Sequence, residues 1–112
     1  MKLVMAIVRP AKVDDVTAAL EKLNLPGLTV TEVRGHGRQK GHKEVYRGQE
    51  YQVDLLPKVK LEMVVPDDRS EEVIKTLALA ARTGKIGDGK IFVFDVAEAV
   101  RIRNNDRGDT AL

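Results

Sequence analysis

Along this chain the hydrophobic pattern alternates between strand-like and helix-like periods, and the order of those segments is the tightest constraint on its fold. Lys2 to Arg9 (KLVMAIVR) is a nearly continuous apolar run of strand length, ended by Pro10. Its apolar residues fall on both faces, the pattern of a strand covered on both sides. From Lys12 the period lengthens, and Val13, Val16, Leu20 and Leu23 form one helical stripe. Asp14 and Asp15 sit in its first turn, where the helix macrodipole favours carboxylates, and Asn24-Leu25-Pro26-Gly27 stops it. Leu28 to Gly35, rich in β-branched residues, reads as a second strand. A third follows Pro57, with Val59, Leu61, Met63 and Val65 on one face and Lys58, Lys60, Glu62 and Val64 on the other. Pro66-Asp67-Asp68 breaks it. Asp68 with Glu71 has the spacing of a capping pair for a second helix, with Ile74, Leu77, Ala78 and Ala81 as its buried stripe and Gly84 at its end. Ile91 to Val96 is a fourth strand, Ala99 to Arg103 a short fifth, and the polar tail from Asn104 to Leu112 is expected to be loose.

Strand, helix, strand, strand, helix, strand is the split βαβ or ferredoxin-like plan, an α+β fold. It predicts an antiparallel sheet with both helices on one face. The other face still carries apolar side chains, too large a patch for a monomer, so a symmetric homo-oligomer is expected.

Between the second and third strands the chain spends about twenty residues, far beyond the ~2–5 of a hairpin loop. The stretch Gly35 to Lys60 gathers Arg38, Lys40, His42, Lys43 and Arg47 and holds both tyrosines of the chain, Tyr46 and Tyr51. Basic and polar, it cannot build a core of its own. The reading is a mobile arm over about 37–57 that binds something; a solvated surface insertion is the plainer alternative.

At 112 residues the chain is one domain, 1–112, long enough to bury a core. Cysteine is absent, which excludes disulfides, thiolate zinc sites and cysteine nucleophiles together. No run approaches the ~20 apolar residues of a membrane span, and no signal peptide is evident, so a cytoplasmic location without membrane insertion is expected. A net charge of +2 decides little until the charges are placed.

Thr83 to Lys90 (TGKIGDGK) is the second informative stretch. Gly84, Gly87 and Gly89 permit conformations in which successive N–H groups converge on an anion, with Lys85 and Lys90 beside them. Arg101 and Arg103, two apart on the expected fifth strand, would project from one face and add guanidinium forks. Gly-Asp-Gly before a strand is also an ordinary turn, and the Walker spacing is absent. The four neighbouring cations are what favour an anion. Signs of catalysis are thin: His36 and His42 lack metal-site spacing, no serine has a His–Asp arrangement, and Asp67-Asp68 and Glu71-Glu72 read as a helix entrance. The basic arm lacks the aromatic strand of an RNA-binding sheet, so direct nucleic-acid binding is not expected.

These residues resemble the PII nitrogen-regulatory signalling proteins from Met1 to about Arg103. Tyr46-Arg47-Gly48-Gln49-Glu50-Tyr51 resembles the family's arm signature, and Thr83 to Val96 (TGKIGDGKIFVFDV) its second. Thr29 to Val33, Gly37 to His42, Leu56 to Lys60 and Arg101-Ile102-Arg103 match as well. The resemblance implies a homotrimer with nucleotide sites in the clefts between subunits, where ATP and ADP compete. It places Gly87, Gly89, Lys90, Arg101, Arg103 and Arg38 at the phosphates, and Ile7, Gly35, Val64 and Thr29 at the adenine. His36, Gly37, Gln39 and Asp88 complete the nucleotide site. Mg²⁺ would bridge the phosphates and 2-oxoglutarate, with Gln39 as its protein ligand. Lys58 would pair with the distal carboxylate of 2-oxoglutarate, assisted by Gly37, Lys40 and Gly41. ATP and 2-oxoglutarate would then bind cooperatively and reshape the arm.

The same resemblance implies a non-enzymatic signal transducer whose partners are an ammonium transporter, nitrogen-assimilation enzymes or regulators, and a nucleotidyltransferase acting on Tyr51. Arg47 and Tyr51 would be the partner-contacting residues of the arm. Three departures stand out: Gln49 replaces a small residue, His36 stands where an aromatic is common, and Asn104 onward lacks the usual Thr-Gly. The alternatives are weak ATP hydrolysis, for which no general base is evident, and a basic nucleic-acid-binding module of the same fold.

Overall fold

The computed structural model describes residues 1–37 and 55–112 in full and, between them, the backbone of 43–46 and 49–52. The strands are β1 (Lys2–Val8), β2 (Thr29–Gly35), β3 (Lys43–Tyr46), β4 (Gln49–Gln52), β5 (Leu56–Val65) and β6 (Lys90–Asp95), and the helices α1 (Val13–Glu21) and α2 (Ser70–Ala81). The main sheet has the order β2-β5-β1-β6 and is antiparallel throughout. This is the α+β arrangement expected from the order of periods. β3 and β4 form a separate two-stranded pair with Tyr46 opposite Gln49, so the arm carries strand pairing that its composition did not suggest. The expected mobility of the arm lies outside the described residues.

Alternation divides β1 cleanly. Val4, Ala6 and Val8 are buried, and so are Val59, Leu61, Met63 and Val65 across β5. Val16 and Leu20 of α1 and Val73, Leu77 and Ala81 of α2 close the same core, which puts both helices on one face. Each fully buried Val or Leu here contributes roughly 1.5–3 kcal/mol of transfer free energy. On the opposite face Phe92 and Phe94 remain 43% and 48% exposed. The register sets them beside Met5 and Leu3, so the apolar outer face foreseen in the sequence is present.

Several local expectations are corrected. α1 starts after a 3₁₀ turn at Pro10–Lys12 and ends at Glu21, because Asn24 takes the left-handed conformation (φ 51°) that closes helices. Leu23 lies past the helix yet packs on the core. The Asp68–Glu71 capping pair does not form. A 3₁₀ turn, Asp67–Arg69, leads into α2 without a side-chain cap, and the Arg69 guanidinium instead joins Glu72 to the Leu23 carbonyl at the end of α1. The buried stripe of α2 is Val73, Leu77 and Ala81, with Ala78 turned to solvent. β5 begins before Pro57, not after it. β1 covers only Val59–Val65 of β5, so on that side Pro57 has no ladder bond to lose.

The expected fifth strand is absent among the described residues. Val100 makes a single bridge to Arg107, and the chain between them turns, with Asn105 at φ 61°. The tail is not loose. Gly108 N–H donates to the Ala99 carbonyl, and the Arg101 guanidinium donates to Asp106 Oδ2 at 3.1 Å and to the Leu112 carbonyl at 3.0 Å. No described helix is long and apolar enough to cross a membrane.

Candidate functional site

The glycine loop between α2 and β6 is folded around one of its own side chains. Gly84, Gly87 and Gly89 have φ of 87°, 106° and 94°, the region that favours glycine. This lets the chain curl so that Thr83 N–H and Gly84 N–H both reach Asp88 Oδ2 at 2.8 Å, while the Thr83 hydroxyl donates to Asp88 Oδ1. Those donors, the hydroxyl first, hold the Asp88 carboxyl well below the usual carboxylate range. The anion nest foreseen in the sequence is therefore half filled from within. Among the described residues no protein acceptor meets the N–H groups of Gly87 and Gly89. A Cβ on Gly89 would lie 1.6 Å from the Ile7 carbonyl oxygen, so only glycine lets the loop pass this close to β1.

Two cations from other elements complete the loop. Lys58, on the outer face of β5, donates from Nζ to the Gly87 carbonyl at 2.8 Å. Burial first, and then the charge of Arg9, pushes the Lys58 ammonium below its ordinary pKa, with Asp88 opposing them. Arg9, at the end of β1, donates from Nε to Asp88 Oδ1 at 3.0 Å and from Nη2 to the Ile86 carbonyl at 2.7 Å. Sequence reasoning missed Arg9. Its one signal was a guanidinium closing an apolar strand, which reads as solvated.

These elements bound an open cleft of about 490 Å³. Of the residues singled out in the sequence, Ile7, Gly35, His36 and Gly37 line it from β1 and the end of β2, Lys58 from β5, Lys85, Gly87, Asp88 and Gly89 from the loop, and Lys90 from the start of β6. Thr29 and Val64 do not. They line a second cleft of about 410 Å³, together with the tail residues Ala111 and Leu112. Arg101 belongs to that second region through its bond to Leu112. Arg101 and Arg103 share no strand face, because a turn replaces the strand expected there. Arg38, Gln39, Lys40, Gly41 and Arg47 lie outside the described residues, as does the side chain of Tyr51, whose backbone pairs with Glu44. Among the described residues no three His, Asp or Glu side chains converge as a metal site.

The family model for "Nitrogen regulatory protein P-II" matches residues 1–106. The chain belongs to the P-II family. Over all 112 residues, and over 100% of both chains, it is 58% identical to "Nitrogen regulatory protein P-II 1" of Escherichia coli strain K12. With the same full coverage it is 57% identical to "Nitrogen regulatory protein P-II" of Klebsiella oxytoca and 54% identical to that of Haemophilus influenzae. The glycine loop and the Thr29–Val64 surface thus line two different clefts of this P-II chain.

Proposed function

We propose that this P-II chain is a non-enzymatic transducer of nitrogen status that binds ATP or ADP at clefts between subunits of a homotrimer. 2-Oxoglutarate would bind beside the nucleotide, and the arm over about 37–57 would carry the state to its partners. The observation that carries the reading is the half-open glycine loop: Gly87 and Gly89 offer N–H groups that meet no protein acceptor among the described residues, flanked by Lys58 and Lys90. Oriented N–H groups beside ammonium groups suit a polyphosphate. Thr29, Val64 and Arg101, grouped apart in the same chain, fit a site completed by a neighbouring subunit. The apolar outer face of the sheet supports self-association.

Lys58 touches the phosphate loop already, at the Gly87 carbonyl, and can offer its ammonium to a carboxylate arriving beside the phosphates. Mg²⁺ would take its oxygens largely from the phosphates and the 2-oxoglutarate, with Gln39 adding one, in keeping with its habit of sharing substrate ligands. Ammonium transporters, nitrogen-assimilation enzymes or their regulators are the partners that fit this role, with Arg47 and Tyr51 as contacts and Tyr51 as the target of a nucleotidyltransferase. A bulky anion at Tyr51 would block docking.

Calorimetric titration of ATP into the wild-type protein and a Lys90→Ala variant tests the site. The expected result is saturable binding that weakens about tenfold on loss of one charge-assisted contact. No heat with the wild-type protein would refute the reading.

A further inference from the structure

The Asp88 carboxylate receives four donors: Thr83 N–H, the Thr83 hydroxyl, Gly84 N–H and Arg9 Nε. The same guanidinium reaches past Asp88 to the Ile86 carbonyl. Arg9 and Asp88 side chains are each only 22% exposed, so the pair is more than a surface contact. It joins the end of β1 to two successive points of the loop, one on either side of Gly87. Lys58 holds Gly87 itself from β5. The loop between α2 and β6 is thus fixed at Ile86, Gly87 and Asp88 by side chains from the two central strands of the sheet.

From this we infer that Arg9 is a positioning residue of the phosphate-binding loop, acting through Asp88 and the Ile86 carbonyl, and that Asp88 is an internal brace and not a ligand contact. The inference deepens the nucleotide reading and rests on it. A planar fork is suited to the task, because one guanidinium can hold a carboxylate and a carbonyl in fixed relative positions, which an ammonium cannot. The brace also answers an electrostatic difficulty. An aspartate between Gly87 and Gly89 would repel a polyphosphate, but here its charge is met by a guanidinium and its lone pairs are taken by loop donors. A different arrangement is conceivable for the same residues, in which Arg9 grips the phosphate directly and Asp88 merely holds it in reserve. The two arrangements give opposite results when Asp88 is removed.

Arg9→Met, Asp88→Asn and the double variant of the full-length protein would be titrated with ATP by calorimetry and with adenosine by NMR chemical shifts. If Arg9 positions the loop, each single variant weakens ATP about tenfold, adenosine changes by less than about twofold, and the double variant is no weaker than the worse single one, as for two parts of one unit. Direct contact by Arg9 would instead leave ATP binding unchanged or tighter in Asp88→Asn, which overturns the inference. Equal loss of ATP and adenosine would mark a general effect on the fold and also overturn it. Thr83→Val, which removes one donor to Asp88 and leaves both charges, supplies a milder variant; it should weaken ATP in the same direction and spare adenosine. Failure of the wild-type protein to bind ATP would be a failure of the nucleotide reading itself, visible before any variant is made.

Discussion

Gly89 combines two constraints that no other residue type satisfies together. Its φ of 94° is strained for a side chain, and a Cβ would overlap the Ile7 carbonyl. Gly89→Ala should therefore cost on the order of 1–3 kcal/mol from backbone strain alone, with further loss as the loop moves off β1; urea unfolding would measure it. Its neighbour Asp88 has a depressed native pKa against an ordinary value of 3.8. A carboxyl of this kind contributes stability that is complete above the unfolded value and is lost as pH falls through the native one. Wild-type stability should thus decline as pH falls below about 4, and Asp88→Asn should show a shallower slope there; equal slopes in acid urea titrations would contradict the assignment. The glycines and lysines of this loop were legible in the sequence, because backbone freedom and charge are properties of single residues. The role of Asp88 was not. Which anion fills the nest depends on a curl of the backbone that brings residue 88 onto the N–H groups of 83 and 84, and the alternative, an external phosphate, fits the same letters.

At the level of elements, α2 shows what a periodic pattern can and cannot specify. Leu77 is fully buried against the sheet, whereas Leu79, two residues on, is 74% exposed. Leu77→Ala should destabilise by about 2–5 kcal/mol, through lost transfer energy and the cavity left behind, and Leu79→Ala by no more than about 0.5 kcal/mol; thermal or chemical unfolding of the pair would show the contrast. The helix itself was evident from its apolar content. Its rotation was not, since an alanine-rich run (TLALAA) lets two stripes fit nearly as well, and the burial of Val73 decides between them. The tail was misread for a related reason. Asn104 to Leu112 is polar and short, yet Asp106 lies where Arg101 can hold it, and that contact is made across a turn whose left-handed residue, Asn105, gives only a weak local signal. The inward face of β5 was the most legible feature, because the alternation of Val59, Leu61, Met63 and Val65 with Lys60 and Glu62 leaves one choice of face.

For the whole molecule, the decisive feature is a sheet that, among the described residues, helices cover on one side only. Phe92 and Phe94 stand half exposed beside Met5 and Leu3 on the other. The homotrimer proposed for this 12.4 kDa chain predicts sedimentation as a trimer, with this face as the surface available to a second copy. Phe94→Asp should shift it toward the monomer in equilibrium sedimentation and weaken nucleotide binding with it, since the proposed site takes its two parts from clefts that different residues of one chain line. A monomeric wild-type protein that binds ATP at full strength would contradict the shared site. The apolar outer face itself was legible in β1, apolar on both faces; which residues a second copy would meet was not, because no sequence pattern encodes the approach of one copy to another. The proposed function joins the sensing of nucleotide and of carbon supply at one site. Its most direct test is calorimetric titration of 2-oxoglutarate with Mg²⁺, once in the presence of ATP and once with ADP. Binding with ATP that vanishes with ADP, and vanishes in Lys58→Met while ATP still binds, is the expected result; 2-oxoglutarate binding that ignores the nucleotide, or none with either, would contradict it.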